Sequence, residues 1–263
     1  MIANMNDHSF DEPMFHVEVS GRVMGVTMDR APVNAINREW LEAFGGVLDQ
    51  VQSQPEVGVL VVRSSQRTFS AGADLKLMRE CFATPQGPDD MVETVRRMQR
   101  LYDRIESLPQ VVIAEIGGSA LGGGFELALA CDLRVAAEDI SLGLPEARLG
   151  LLPGAGGTQR LTRLCGPGVA RRLILTAEVV SGSQAVGLGL VQWAVPAADL
   201  GARVQEIANH VASMSPAALA ACKRCFAAID ANLEAGMLIE LLETHRLFNN
   251  SDTRQRVSAF LTR

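Results

Sequence analysis

Two glutamates lie beside stretches of glycine and other small residues, in otherwise apolar surroundings. Glu126 follows three glycines at 122–124, and Glu146 lies between Pro145 and an apolar run that leads to Gly154. A glutamate is rarely buried without a reason, and an apolar pocket raises the pKa of its carboxyl toward neutral pH. Two such carboxyls facing one site can divide acid and base work, one activating water and the other moving a carbon-bound proton.

Two backbone N–H groups can complete such a site. One is near Ala73, within the small-residue stretch Ala71–Asp74, and the other is Gly123, where a helix is expected to begin. Together they can form an oxyanion hole for an enolate. The spacing alone leaves a structural interpretation open, in which Glu126 only complements the helix dipole and Glu146 only caps a turn.

Other motifs do not match a known chemistry. The glycines from Gly118 to Gly124 fit neither a dinucleotide-binding fingerprint nor a phosphate-binding loop, and no nucleophile-elbow motif is present. Cys222 and Cys225 form a C-x-x-C, which can be redox-active or half of a metal site. We interpret both as residues of an Ala-rich helix, because no second Cys or His pair completes a tetrahedral site.

The composition is that of an ordinary soluble globular protein. The 263 residues, 48% hydrophobic and 21% charged, allow one large domain or one domain with an appendage. A net charge of −6 argues against a nucleic-acid partner, and no apolar run reaches the length of a membrane span. The first eleven residues lack the basic-then-apolar pattern of a secretory signal, and the five cysteines do not suggest a disulfide framework. We therefore expect a cytoplasmic protein with neither a nucleic-acid nor a membrane partner.

Strands and helices alternate over the first 200 residues, which predicts an α/β architecture. The first two strands, Phe15–Val19 and Val23–Met28, read as a hairpin. Further strands are expected at 57–62, 111–116, 133–137 and 191–195. Helices are expected at 38–54, 90–108, 159–175 and 183–188, Leu127–Ala130 is a good helix former, and a mobile loop is expected at 83–90. From residue 200 the pattern is all-helical, with helices at 201–213, 215–232 and 234–248, so we place a boundary there.

The glycine and glutamate motifs together resemble the enoyl-CoA hydratase/isomerase (crotonase) family. The matching stretches are Phe69–Lys76, Ala120–Ala128, Ala130–Asp132, Pro145-Glu146 and Pro153–Leu161, and the resemblance runs from about Phe15 to the C-terminus. It implies a crotonase-like spiral of repeated ββα units over residues 1–200, holding a CoA-thioester site. It also implies a helical trimerisation region over residues 201–263, and assembly as a homotrimer or as a hexamer made of two trimers.

The resemblance also implies roles for individual residues. Ala73 and Gly123 supply the oxyanion-hole N–H groups, Glu126 deprotonates water for attack at C3, Glu146 delivers a proton to C2, and Gly154 helps to place the water. The substrate-binding positions that it implies are Ala71, Ala73, Asp74, Leu75, Lys76, Gly122, Gly123, Pro145 and Gly154, with 74–76 along bound CoA. The resemblance implies no metal and no redox cofactor. CoA is counted as part of the acyl-CoA substrate.

Both glutamates are retained, which favours hydration of a 2-enoyl-CoA within this resemblance. The alternatives on the same fold are an enoyl-CoA isomerase and a lyase similar to methylglutaconyl-CoA hydratase, with a branched acyl substrate. An alternative of another class is a non-catalytic CoA-binding or assembly protein. The nearest counterpart of the family's CoA-phosphate lysine is Arg263.

Overall fold

Long and short strands alternate between residues 59 and 143 in the computed structural model, which describes residues 13–228 and 233–262. The strands in this part of the chain are β1 (Phe15–Ser20), β2 (Val23–Met28), β3 (Val59–Ser64), β4 (Thr68–Ser70), β5 (Val111–Ile116), β6 (Ser119–Leu121), β7 (Leu133–Ala137), β8 (Ser141–Gly143), β9 (Val179–Ser181) and β10 (Trp193–Val195). Residues 1–11, where we expect no secretory signal, and Arg263 lie outside the described residues.

The helices connect and cover these strands. They are α1 (Arg38–Gln52), α2 (Leu75–Phe82), α3 (Gly87–Ser107), α4 (Gly123–Ala130), α5 (Gly157–Leu175), α6 (Gly182–Gly187), α7 (Leu200–Ala212), α8 (Pro216–Ala228), α9 (Leu233–Phe248) and α10 (Ser251–Leu261). A short 3₁₀ helix, Glu146–Leu149, follows β8.

The strands form two sheets, and the chain alternates between them from β3 to β8. The larger has the order β1-β2-β3-β5-β7-β10, and the smaller has the order β4-β6-β8-β9. Strands β3, β5 and β7 are parallel neighbours in the larger sheet, and each is followed at once by a short strand, β4, β6 or β8, in the smaller one. After β4 and after β6 a helical connection returns the chain to the larger sheet, whereas after β8 the chain passes through α5 to β9 of the smaller sheet and then through α6 to β10 of the larger one. Three ββα units therefore follow one another. This is the α/β spiral of ββα units that the resemblance implies.

The larger sheet is covered on both faces. Side chains alternate along a strand, and Leu60 and Val62 of β3 pack into the main core, whereas Val59 and Val61 face the opposite side. On that opposite side the apolar face of α7, including Val204 and Ile207, completes a second core. The change of pattern at residue 200 thus coincides with the start of a helix that packs against the sheet.

Most of the predicted elements agree with the structure within a few residues. The hairpin, α1, the strands beginning near residues 111 and 133, and the helices near 200 and 233 are confirmed. The helix expected at 215–232 is confirmed as far as Ala228, and residues 229–232 lie outside the described part of the chain. The third strand begins two residues later than expected, and α10 was not predicted. Four strands, β4, β6, β8 and β9, also escaped prediction, because three residues are too few to show a period of two.

The expectation of a mobile loop over residues 83–90 is wrong for its second half. Residues 87–90 form the first turn of α3. Pro88 occupies an N-terminal helix position, where its missing N–H has no intrahelical partner, and Asp89 and Asp90 complement the helix dipole. The Pro, Gly and Asp composition therefore marks a helix start here.

Candidate active site

The three segments that carry the candidate chemistry leave the smaller sheet at the same edge. Ala73 follows β4, Gly123 follows β6, and Glu146 follows β8. Because β4, β6 and β8 are neighbouring parallel strands, their carboxyl ends meet at one edge of the sheet. The topology alone therefore brings these segments together.

The backbones at Ala73 and Gly123 are in direct contact. A methyl group placed on Gly72 would lie 2.8 Å from the nitrogen of Gly123, and one placed on Gly123 would lie 3.5 Å from the nitrogen of Ala73. Gly72 and Gly122 also have positive φ angles, +88° and +52°. Glycine is needed at these positions both for the conformation and for the close approach.

The N–H groups of Ala73 and Gly123 are unpaired. Neither donates a hydrogen bond to an acceptor among the residues that the structure describes. Gly123 is the first residue of α4, so its N–H also lies at the positive end of the helix. Two adjacent unpaired N–H groups can stabilise one negatively charged oxygen, which is the chemistry of an oxyanion hole.

Tyr102 and Met98 of α3 contact Gly123 and fix its position. The fully buried Tyr102 hydroxyl donates to the carbonyl oxygen of Gly123 at 2.8 Å. Burial raises the pKa of this phenol well above its usual value, and the nearby Glu126 raises it further, so it remains a hydrogen-bond donor. The methyl group of Met98 lies 2.8 Å from the position of a Cβ on Gly123.

Glu126 lies in the first turn of α4 and is only 2% exposed. Its Oε1 accepts a hydrogen bond from the N–H of Gly157 at 2.7 Å. Burial raises the pKa of this carboxyl to about 7, and the charge of Glu146 adds to the rise. The N–H groups of Gly157 and Ala155 and the charge of Arg160 act in the opposite direction. A carboxyl that titrates near neutral pH suits acid–base catalysis.

Glu146 is half-buried at the start of the 3₁₀ helix, close to the oxyanion segment. Its Oε1 lies 3.1 Å from the position of a Cβ on Gly122. Its Oε2 is buried and has no hydrogen-bond partner within the described part of the chain. Burial raises the pKa of this carboxyl as well. A buried, unpaired carboxyl oxygen beside the oxyanion segment is a group that can exchange a proton with a bound molecule.

Helix α3 also holds the loop that contains Gly154. The side-chain amide of Gln99 donates to the carbonyl oxygen of Gly154 at 2.7 Å, and Val95 lies 3.2 Å from the position of a Cβ on Gly154. One helix therefore supports both the oxyanion segment and the loop beside Glu126.

The flank of the site is formed by the start of α2. Asp74 caps this helix by accepting from the N–H of Lys76 at 2.9 Å, and it pairs with Arg30, also at 2.9 Å. Burial acts to raise the pKa of Asp74, but the Lys76 N–H and the Arg30 guanidinium outweigh it, so the pKa is lowered. Ala71, Leu75 and Lys76 are exposed on this flank, next to the oxyanion segment.

The structure thus gathers Ala73, Gly122, Gly123, Glu126 and Glu146 in one place, with Pro145 and Gly154 on the adjoining segments. Residues 71 and 74–76 lie along its exposed flank. Sequence reasoning missed four residues that hold the site together, Gln99, Tyr102, Gly157 and Arg160. Tyr102, the one tyrosine of the chain, lies one helical turn after Met98 on the apolar face of α3, and this was the available signal.

Other candidate chemistry is not supported by the arrangement of side chains. Within residues 13–228 and 233–262, no three His, Cys, Asp or Glu side chains are grouped so that they could hold a metal ion. Cys222 and Cys225 both lie on α8, as interpreted from the sequence. None of the helices in this part of the chain is both long enough and apolar enough to cross a bilayer.

Comparison with known proteins identifies the class to which this fold and site belong. The family model described as "Enoyl-CoA hydratase/isomerase" matches residues 18–263. The chain belongs to this family and is an enzyme of it.

Individual relatives match over nearly their whole length. The chain is 38% identical over 238 residues to a protein named "Probable enoyl-CoA hydratase" from Bacillus subtilis (strain 168), covering 90% of this chain and 91% of that one. It is 33% identical to the short-chain-enoyl-CoA hydratase of Clostridium acetobutylicum, covering 93% of each. The crystal structure of an enoyl-CoA hydratase from Bacillus anthracis superposes with a TM-score of 0.89 at 35% identity, covering 95% of this chain and 96% of that one.

Proposed function

We propose that the enzyme adds water across the 2,3 double bond of a 2-enoyl-CoA thioester. The observation that carries this proposal is the pairing of two carboxyls, the buried Glu126 and the half-buried Glu146, with two unpaired N–H groups, those of Ala73 and Gly123. The names of the relatives, several of which are enoyl-CoA hydratases, support the same reaction.

In the proposed reaction the oxyanion hole acts first. The N–H groups of Ala73 and Gly123 bind the thioester carbonyl oxygen and stabilise the negative charge that develops on it as an enolate. Since these groups belong to a packed backbone, they need little reorganisation as the charge forms. The exposed flank at Asp74, Leu75 and Lys76 would lie along the CoA portion.

The two glutamates then divide the proton transfers. Glu126, as the carboxylate, takes a proton from a water molecule, whose oxygen forms a bond to C3 while the double bond shifts to the enolate. Glu146, as the neutral acid, gives its proton to C2, which returns the enolate to a thioester. The net change is the addition of one water molecule, with Glu126 protonated and Glu146 ionised until a proton exchange resets them. These steps add the hydroxyl of water to C3 and a proton to C2 with no net oxidation or reduction, so we propose that no cofactor other than the CoA of the substrate takes part.

We also propose that the protein assembles as a homotrimer or as a hexamer made of two trimers. Large apolar side chains are exposed on all three C-terminal helices, among them Phe226 on α8, Leu241 on α9 and Phe260 on α10. A face of this kind is typical of a surface that is buried between subunits.

The test of the reaction is the loss of absorbance of the conjugated enoyl thioester. Glu126→Gln and Glu146→Gln are each expected to lower kcat by about 10²–10⁴-fold, because each removes a proton-transfer group. Glu115→Gln is a matched control, since Glu115 is also partly buried with a raised pKa but lines the other face of the sheet, near Arg63. Full activity in both site variants would contradict the proposal.

Oxygen-18 water separates hydration from migration of the double bond. A hydratase places the labelled oxygen at C3 of the product, whereas an isomerase yields a product without the label. An unlabelled product would replace hydratase with isomerase as the function of this site.

A further inference from the structure

One buried arginine contacts both the loop beside Glu126 and Tyr102, the residue that donates to Gly123. Arg160 lies in the first turns of α5 and is 5% exposed. Its role would concern the reaction proposed above, so the inference rests on that function, but it is argued from contacts that do not depend on it.

The guanidinium of Arg160 lies directly against the loop beside Glu126. Its Nη1 donates to the carbonyl oxygen of Ala155 at 2.8 Å. A methyl group placed on Gly156 would lie 2.1 Å from the same Nη1, so only a glycine permits this contact. On its other side the loop gives the N–H of Gly157 to Glu126, at 2.7 Å.

Helix α3 holds the guanidinium in this orientation. Nη2 donates to Asp103 at 2.7 Å, and Nε donates to Glu106 at 2.9 Å. Cζ of the guanidinium also lies over the ring of Tyr102, 6.0 Å from its centroid, and Tyr102 donates to the carbonyl oxygen of Gly123. The three acceptors lie in different directions, which a planar guanidinium can satisfy together and a lysine ammonium cannot reproduce.

We propose that Arg160 is a positioning residue, which holds the loop of residues 155–157 against Glu126 so that its N–H groups face the carboxylate. Glu126 is faced by Tyr102 from α3, by Glu146 from the 3₁₀ helix and by Arg160 from α5. Among these groups Arg160 is the one that both bears a positive charge and fixes the backbone donors of the carboxylate.

Loosening this loop weakens the hydrogen bonds that favour the ionised form of Glu126, so its pKa rises further. Charge and position can be separated, because Arg160→Lys keeps a positive charge without the planar contacts and Arg160→Met removes both. Arg163→Met is the matched control, since Arg163 is on the same helix and also pairs with Glu106 but is exposed.

The experiment reads the ionisation of Glu126 directly, by infrared difference spectra between each protein and its Glu126→Gln counterpart across pH 5–9. We expect the midpoint to rise by about one pH unit, a tenfold change in the ionisation equilibrium, in Arg160→Lys as well as in Arg160→Met. Arg163→Met should keep the midpoint of the unmodified protein. In turnover, the acid limb of the pH profile should shift in the same direction, with a larger change in kcat than in KM.

An unchanged midpoint in Arg160→Lys would overturn the proposal, since charge alone would then suffice, and so would an equal shift in Arg163→Met. If the Arg160 variants do not fold, the double variant Asp103→Asn, Glu106→Gln removes the two carboxylates that orient the guanidinium while keeping Arg160 itself. A smaller rise of the midpoint supports positioning, and no rise contradicts it. Because the infrared titration needs no substrate, a shifted midpoint in a protein without hydratase turnover would retain the role of Arg160 and reject the proposed function.

Discussion

At the scale of single residues, the raised pKa of Glu126 lowers the free energy of unfolding at neutral pH. The unfolded chain ionises this group near 4.5 and the folded protein near 7, so the folded state binds a proton more tightly. The full stability is present below about pH 4.5 and is lost as the pH rises through 7, by about 3 kcal/mol in total. A residue kept ready for proton transfer therefore opposes folding at neutral pH.

Glu126→Gln is expected to inactivate the enzyme and to stabilise it at high pH. Glutamine cannot ionise, so the free energy of unfolding of the variant, relative to the unmodified protein, should rise by about 2 kcal/mol between pH 5 and pH 8. Urea unfolding at the two pH values measures this change. Glu56→Gln, at an exposed loop position, should show no comparable change, and the same relative stability of Glu126→Gln at both pH values would contradict the expectation.

The sequence indicates the reacting groups but not the residues that support them. Glycines and glutamates in recognisable stretches point to Ala73, Gly123, Glu126 and Glu146. Most hydrogen-bond partners of Tyr102 and Arg160 lie more than 20 residues away along the sequence. Examples are the carbonyl oxygen of Gly123 for Tyr102 and the carboxylate of Asp103 for Arg160. Such contacts depend on the tertiary packing of α3 against α4 and α5, which no local pattern reveals.

At the scale of elements, the three short strands β4, β6 and β8 assemble the site. Their parallel pairing places the site segments at one edge, yet three-residue strands leave no periodic signal in the sequence. The long elements, such as α1 and β5, were predictable because burial of one face or of both faces dictates their patterns. The elements that position the chemistry are therefore the ones that sequence periodicity detects least.

Two helix caps provide a matched test of the flank of the site. Asn37 caps α1 by accepting from Trp40, and Asp74 caps α2 by accepting from Lys76. Asn37→Ala and Asp74→Ala should each lower the free energy of unfolding by about 1 kcal/mol. Only Asp74→Ala also removes the ion pair with Arg30 next to Ala73, and it should lower kcat/KM at least tenfold for an enoyl-CoA. Equal turnover in the two variants would separate the α2 cap from the function of the oxyanion segment.

At the scale of the whole molecule, a partly buried ion pair helps to join α8 to the core. Lys223 of α8 donates to Asp132 at 2.6 Å and to the carbonyl oxygen of Gln110 at 2.8 Å, and Asp132 also accepts from the N–H of Val112. This contact links α8 to the core, while Phe226 of the same helix remains exposed.

Phe226→Asp is expected to dissociate the proposed trimer or hexamer. Phe226 is 72% exposed in the single chain, so a charge there should leave the fold of each subunit intact and disrupt only contacts between subunits. Sedimentation velocity should show 28.2 kDa subunits in place of the assembly, with unchanged circular dichroism. Arg203→Asp, on the partly exposed surface of α7, should remain assembled. A monomeric unmodified protein would reject the proposed assembly.

The packing of α7 on the outer face of the larger sheet has a consequence for any shortened form of this protein. A chain that stopped at residue 200 would keep every group proposed for the reaction. It would also expose the valine side chains of the larger sheet that α7 covers, among them Val59, Val61 and Val135. An open, flat, apolar β surface is the kind that joins one molecule to the next in aggregates. The residues proposed for the reaction therefore precede residue 200, whereas α7, which protects the sheet from aggregation, follows it. A functional form of this protein needs both.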